Sequence, residues 1–264
     1  MPMTFATHVE PRAVLPRIRR IELPDLQAAL ASGLADFRDL PSHAVFLCLF
    51  YPVAGLILDG ILLRENVVPL LFPLAAGFAL IGPFAAIGLY ELSRRREIGL
   101  DTSWQHAFDV LRSPARSSIL AIGILLFAIF VAWLLTARWL YGQTLGGLAP
   151  RTPGAFFREA ITTAVGWKMI VWGNLIGSAF ALAAMSLSVV SFPLLLDRHC
   201  SAAVAMLTSL RSVIANPGAM AVWGLLVAAA LLLGSIPFLL GLAVVMPVLG
   251  HATWHLYRRV VEPE

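Results

Sequence analysis

The sequence predicts an all-α, polytopic transmembrane helical bundle: six spans in three hairpins, with amphipathic helices on the cytoplasmic side. Three observations predict it. Hydrophobic residues make up 59% of the 264 residues and charged residues only 13%, against about 25% charged in ordinary soluble domains. The mean hydropathy is +0.83, more apolar surface than a chain of this length can enclose in water. The apolar runs are continuous rather than alternating, which favours helices over a barrel, the other structure that satisfies its backbone inside lipid.

A crossing takes about 20 apolar residues. The candidate runs are Ala44–Leu63, Val67–Tyr90, Ser118–Ala137, Ala164–Leu196, Gly218–Gly234 and Ile236–Tyr257. They lie in a membrane domain over 23–257, between an N-terminal tail (1–22) and a C-terminal tail (258–264). The first run begins behind a polar segment too long for the n-region of a signal peptide, so it is expected to stay as a signal anchor. The fourth run is too long for one straight crossing, and its first turns are expected along the outer interface. The fifth joins the sixth through the tight turn Gly234-Ser235-Ile236-Pro237.

Orientation follows from arginine. Arg12, Arg17, Arg19, Arg20 and Arg38 precede the first run. Arg94–Arg96, Arg112 and Arg116 follow the second, Arg198 and Arg211 the fourth, and Arg258 and Arg259 the sixth. The opposite side receives only Arg64, Arg138, Arg151 and Arg158. The positive-inside rule puts the richer side, and with it both termini, in the cytoplasm. Trp133, Trp139 and Tyr141 are expected at the outer interface, and Tyr90, Trp254 and Tyr257 at the inner one. Because the arginines flank apolar runs, they signal topology rather than nucleic-acid binding. Cys48 and Cys200 have no partner spacing for a metal, and a disulfide is not expected.

The connections repeat a pattern. Leu23, Leu26, Leu30, Leu34 and Phe37 share one helical face over 23–40, with Asp25, Gln27, Asp36 and Asp39 opposite, and Pro41 follows. Trp104, Phe108 and Leu111 do the same before Pro114, and Val204, Leu207, Leu210 and Ile214 before Pro217. The exits of the even spans match as well. Pro83 and Gly88-Leu89-Tyr90-Glu91-Leu92-Ser93-Arg94-Arg95 align, at a constant offset of 164, with Pro247 and Ala252-Thr253-Trp254-His255-Leu256-Tyr257-Arg258-Arg259. Pro193 and Asp197-Arg198 form a shorter version. An internal repeat of three units, each an amphipathic cytoplasmic helix, a proline and a pair of spans, accounts for this. The alternative is that prolines and arginines are simply common where helices leave a membrane.

The exit Ile87–Arg95, the stretch Ser191–Asp197 and the terminal Gly250–Arg258 together resemble a family of predicted bacterial integral membrane proteins of unknown function. The resemblance implies a bacterial inner (cytoplasmic) membrane and brings no catalytic residues.

Candidate functional or structural polar positions are few: Asp59, Glu91, Lys168, Asn174, His251 and His255. Asp59, the acid inside the first run, is a functional candidate by default, though pairing with Arg64 or Lys168 competes with a proton relay. Glu91 is expected to pair with Arg95 at i, i+4. Lys168 is expected at the interface with its stem buried. Gly173 and Gly177 permit close helix packing, beside Asn174, which needs a partner or lines a wet cavity. His251 and His255 share a helix face. With His43, His106 and His199 they raise a metal or haem site, against the plainer reading of interfacial hydrogen bonding. No catalytic residue, cofactor or metal is expected, since no nucleophile elbow, phosphate loop or metal-protease motif is present. The expected function is a non-enzymatic scaffold, assembly or envelope component whose partners are the lipid bilayer and an unidentified membrane protein, not nucleic acid. The alternatives are a small transporter or lipid-handling protein and, more weakly, an accessory subunit of a respiratory complex.

Overall fold

A computed structural model describes residues 15–40, 86–147, 153–236 and 241–263, together with 55, 73–74, 77, 80 and 82–84. The first predicted span, most of the second, Pro41, His43, Cys48 and Asp59 lie outside the described residues. What is described is helical, apart from one antiparallel bridge between Ile18 and Val261.

Helix α1 (Leu23–Asp39) starts at a capping box on Glu22, whose N–H donates to the Asp25 carboxylate at 3.0 Å, with Pro24 in the first turn where a missing N–H costs nothing. Helix α2 (Ile87–Glu97) is the exit of the second run and ends in Arg94–Arg96. A 3₁₀ helix (Trp104–Arg112) leads into α3 (Arg116–Gln143). Helix α4 (Pro153–Thr162) lies in the loop before α5 (Ala164–Ser188), and α6 (Ser191–Arg198) completes the fourth run. Helix α7 (Ala202–Ala215) precedes α8 (Pro217–Ser235), which opens on Pro217. Helix α9 (Leu242–Val260) carries Pro247 inside it.

Among the described residues, three helices are long and apolar enough to cross a membrane: Arg116–Gln143, Ala164–Arg198 and Pro217–Ser235. The fourth run is divided at Val189 and Val190, where α5 ends and α6 begins. A Thr163 side-chain cap on the N–H of Gly166 starts α5. Gly173 and Gly177 of α5 face Leu140 and Trp133 of α3, so small residues set that crossing.

The connecting helices seat in a regular order. Helix α1 packs on α9, the 3₁₀ helix on α2, and α7 on α6, while α2, α6 and α9 touch one another. Each of these connecting helices, the crossing helices of the cap, therefore rests on the exit segment that precedes it in the chain, and the first closes on the last. The buried faces of the 3₁₀ helix and α7 are the small ones, and that of α1 mixes small residues with part of its leucine stripe. Helix α1 buries Leu26, Ala29, Gly33 and Asp36, the 3₁₀ helix buries Ala107 and Val110, and α7 buries Ala205, Thr208, Ser209 and Ser212. Asp36 thus lies on the packed face, not the polar one. Phe108, Leu111, Leu207, Leu210 and Ile214 point outward, Leu111 being 71% exposed. Small side chains let helix backbones approach closely, and the bulky apolar ones are left for lipid.

The ends of the chain meet in this cap. The Arg19 N–H donates to Val260 O at 2.7 Å and the Glu262 N–H to Arg17 O at 3.1 Å. Asn216 accepts from the Ile21 N–H at 2.8 Å and donates to Arg19 O at 3.0 Å. Tyr90, Trp254 and Tyr257, expected at the inner interface, are core residues of the cap, because their polar tips and rings find partners there. Trp133 is likewise buried, its indole N–H donating to Pro73 O at 2.8 Å, whereas Trp139 is exposed.

A Cβ added at Gly33 would lie 2.5 Å from the Ala252 nitrogen. Since that obstacle is backbone, Gly33→Ala is expected to lower stability by about 1–3 kcal/mol. Gly82→Ala, where a Cβ meets nothing within 4 Å among the described residues, is expected to leave stability unchanged or raise it. Thermal unfolding of the purified protein in detergent checks both.

Candidate functional site

The cap holds a buried polar cluster made by α1, α2 and α9. Close contact between Gly33 and Ala252 brings α1 onto α9, and one turn further Asp36 enters the space between α9 and α2. The Ser93 hydroxyl donates to Asp36 Oδ2 at 2.6 Å. His255 Nε2 reaches the same oxygen at 2.9 Å, and Arg96 donates to Oδ1 at 2.5 Å. Arg96 also pairs with Asp39. With its own proton committed to Asp36, Ser93 Oγ accepts from His251 Nδ1 at 2.7 Å, which assigns the Nδ1–H tautomer to His251. Ser93 and His251 are sealed from solvent.

Burial raises the Asp36 carboxyl, but the bonds from His255 and Ser93 and the charges of His255 and His251 outweigh it and hold the group below the usual carboxylate range. The order of contacts is not that of a hydrolytic triad, in which the carboxylate orients the histidine and the histidine activates the serine. Here the Ser93 hydroxyl donates to the carboxylate directly rather than to a histidine. The cluster is a clasp joining three helices.

Two further groups of charges extend it. Glu97 accepts from the Trp254 indole at 2.8 Å and from Arg258 at 2.9 Å, and Arg258 reaches Asp197 of α6 at 3.3 Å. Tyr257 donates to Asp197 as well, and Arg259 pairs with Asp25 of α1 at 3.1 Å. Glu91 is buried and gripped by Arg94 through two bonds of 2.8 Å, with Arg95 at 3.8 Å. The i, i+3 arginine is thus the closer partner. Arg95 continues to Asp109 at 3.4 Å, and His106 bridges Asp109 at 2.6 Å to Asp101 at 3.0 Å. The His106 bond holds Asp109 below the ordinary carboxylate range.

Of the positions singled out by sequence, Glu91, His251 and His255 come together in the cap. Lys168 and Asn174 do not join them. Lys168 is exposed in the first turns of α5 and has no ion pair among the described residues. Asn174 is exposed and donates to Ile170 O of its own helix at 2.8 Å. Asp59 lies outside the described residues. Among the described residues no group of three or more His, Cys, Asp or Glu side chains is arranged to hold a metal ion. Asp36, Ser93, Glu97 and Asp197 were not singled out by sequence. Asp36 had a signal, since it continues the stripe of Ala29 and Gly33 at helical spacing.

Long apolar helices joined by a packed, charge-paired cap define an α-helical integral membrane protein. Residues 71–197 match the model of a family described as predicted integral membrane protein (DUF2189), a family of unknown function. The match includes the exit Ile87–Arg95 and the stretch Ser191–Asp197, while the terminal exit Gly250–Arg258 lies beyond it. No curated protein and no solved structure matches the chain.

Because Asp36 is held below its ordinary value, its contribution to stability is full above the unfolded carboxylate pKa of about 3.9 and is lost as pH falls through the lower folded value. The expected outcome is a thermal midpoint that drops for the wild type below about pH 4 and a shallower drop for Asp36→Asn. At neutral pH the same variant is expected to be less stable by about 2 kcal/mol, from lost charged hydrogen bonds. Unfolding in detergent across pH measures both.

Proposed function

We propose that the chain is a non-enzymatic scaffold of a bacterial inner membrane, with six spans in three hairpins and both termini in the cytoplasm. The observation that carries this reading is the closed order of the cap, in which each crossing helix is seated on the exit helix before it and the first on the last. Such an order is what three variants of one hairpin unit produce when they surround a common axis. Pairing of residues 17–19 with 260–262 keeps the two ends on one side, which an even number of crossings requires. The arginines of α2, α6 and α9 lie in this cap, as the positive-inside rule asks of a cytoplasmic face. The outward apolar side chains of the 3₁₀ helix and α7 suit the inner acyl boundary.

The scaffold is favoured over a transporter because the polar groups of the cap are spent on one another, and Asn174 is satisfied by its own helix rather than facing a wet path. It is favoured over a redox accessory subunit because His251 and His255 are tied to Ser93 and Asp36.

Single cysteines in a background lacking Cys48 and Cys200 test the arrangement. A membrane-impermeant thiol reagent on intact cells is expected to label Arg158→Cys and to miss Gly99→Cys until the membrane is opened; the reverse pattern rejects the orientation. Asn174→Cys is expected to resist water-soluble reagents, and rapid labelling there would favour transport.

A further inference from the structure

A cavity of about 240 Å³ opens between the 3₁₀ helix, α2 and the end of α6. Arg94, Arg95, Arg112 and His199 line it, and Glu91 and Asp109 also face it. Both acids are already held, Glu91 by Arg94 and Arg95, Asp109 by Arg95 and His106. Three guanidinium groups against two carboxylates leave the cavity with a positive excess. Arg112 supplies it. This exposed side chain makes no hydrogen bond or ion pair among the described residues and acts on Asp109 only through its charge. The floor is apolar, with Val110, Pro114 and Leu196, which strengthens any charge interaction above it.

We propose that this cavity binds the phosphate headgroup of an anionic phospholipid from the inner leaflet. A guanidinium fork matches phosphate oxygens, and room for a phosphate is available beside it. The rim decides for a lipid over a soluble anion. Trp104, Phe108 and Leu111 of the same 3₁₀ helix are exposed next to Arg112, so a headgroup in the cavity has its acyl chains along an apolar face that is otherwise uncovered. The arrangement places charge at headgroup depth and grease at acyl depth on one short helix. It rests on the cytoplasmic orientation proposed above, which thiol labelling tests separately.

The test is titration of the full-length protein in mild detergent, followed by native mass spectrometry, with phosphatidylglycerol, phosphatidylethanolamine and inorganic phosphate as separate probes. Phosphatidylglycerol is expected to bind in preference to phosphatidylethanolamine. Arg112→Gln is expected to weaken phosphatidylglycerol about fivefold, the effect of one basic residue at an anionic surface. Arg158→Gln, on α4 away from the cavity, is expected to leave it unchanged. Equal binding by wild type and Arg112→Gln overturns the proposal, as does equal binding of the two lipids. Arg112-dependent binding of inorganic phosphate without phosphatidylglycerol overturns the lipid in favour of a soluble phosphate.

Discussion

Asp36 is a carboxylate taken out of water, and the cap is organised around keeping it paired. An unpaired charge at that depth costs several kcal/mol, so the site exists only if partners arrive from two other helices at once. Ser93 and Arg96 come from α2 and His255 from α9. Their convergence depends on distance between backbones. Gly33 lets α1 sit directly against Ala252, and Gly250 allows Leu89 of α2 equally close to α9. Small residues set the spacing, and the charge then penalises any other spacing.

The same logic recurs around the cap with different chemistry. At the 3₁₀ helix the close residues are Ala107 and Gly88, and the charges are Glu91, Arg95 and Asp109. At α7 the contact is made by the Ser209 hydroxyl, which accepts from the Val190 N–H at 3.2 Å where the chain breaks between α5 and α6. Gly88 and Ala252 stand at matching places in the two longer exits, 164 residues apart. Each serves as the seat for a crossing helix. Stability in the cap therefore comes from many modest contacts with one high-stakes ion cluster among them.

Much of this was legible in the sequence, but not which way the helices face. The crossing helices, their proline stops and the exit segments were visible as periodicity and punctuation, because those signals are local. In water the leucine stripe of α1 or α7 would be the buried one. In a membrane protein apolar side chains also have lipid to face, so Leu210 and Ile214 turn outward and Ala205, Thr208 and Ser212 turn in. Periodicity gives the stripe and not its direction. Asp36 was missed for that reason, and Trp254 and Tyr257 were placed at an interface because their carboxylate partners, Glu97 and Asp197, are 157 and 60 residues away.

The clasp also sets a timetable for synthesis. Asp36 and His255 are 219 residues apart, and the segment around Arg19 pairs with Val260 through an isolated bridge. A chain made from its N-terminus produces α1 first and the seat for α1 last. Until α9 is made, α1 has neither its close-packed neighbour nor the His255 bond, although Ser93 and Arg96 are already present. The contact between α1 and α9 can therefore form only after all the intervening helices have been made.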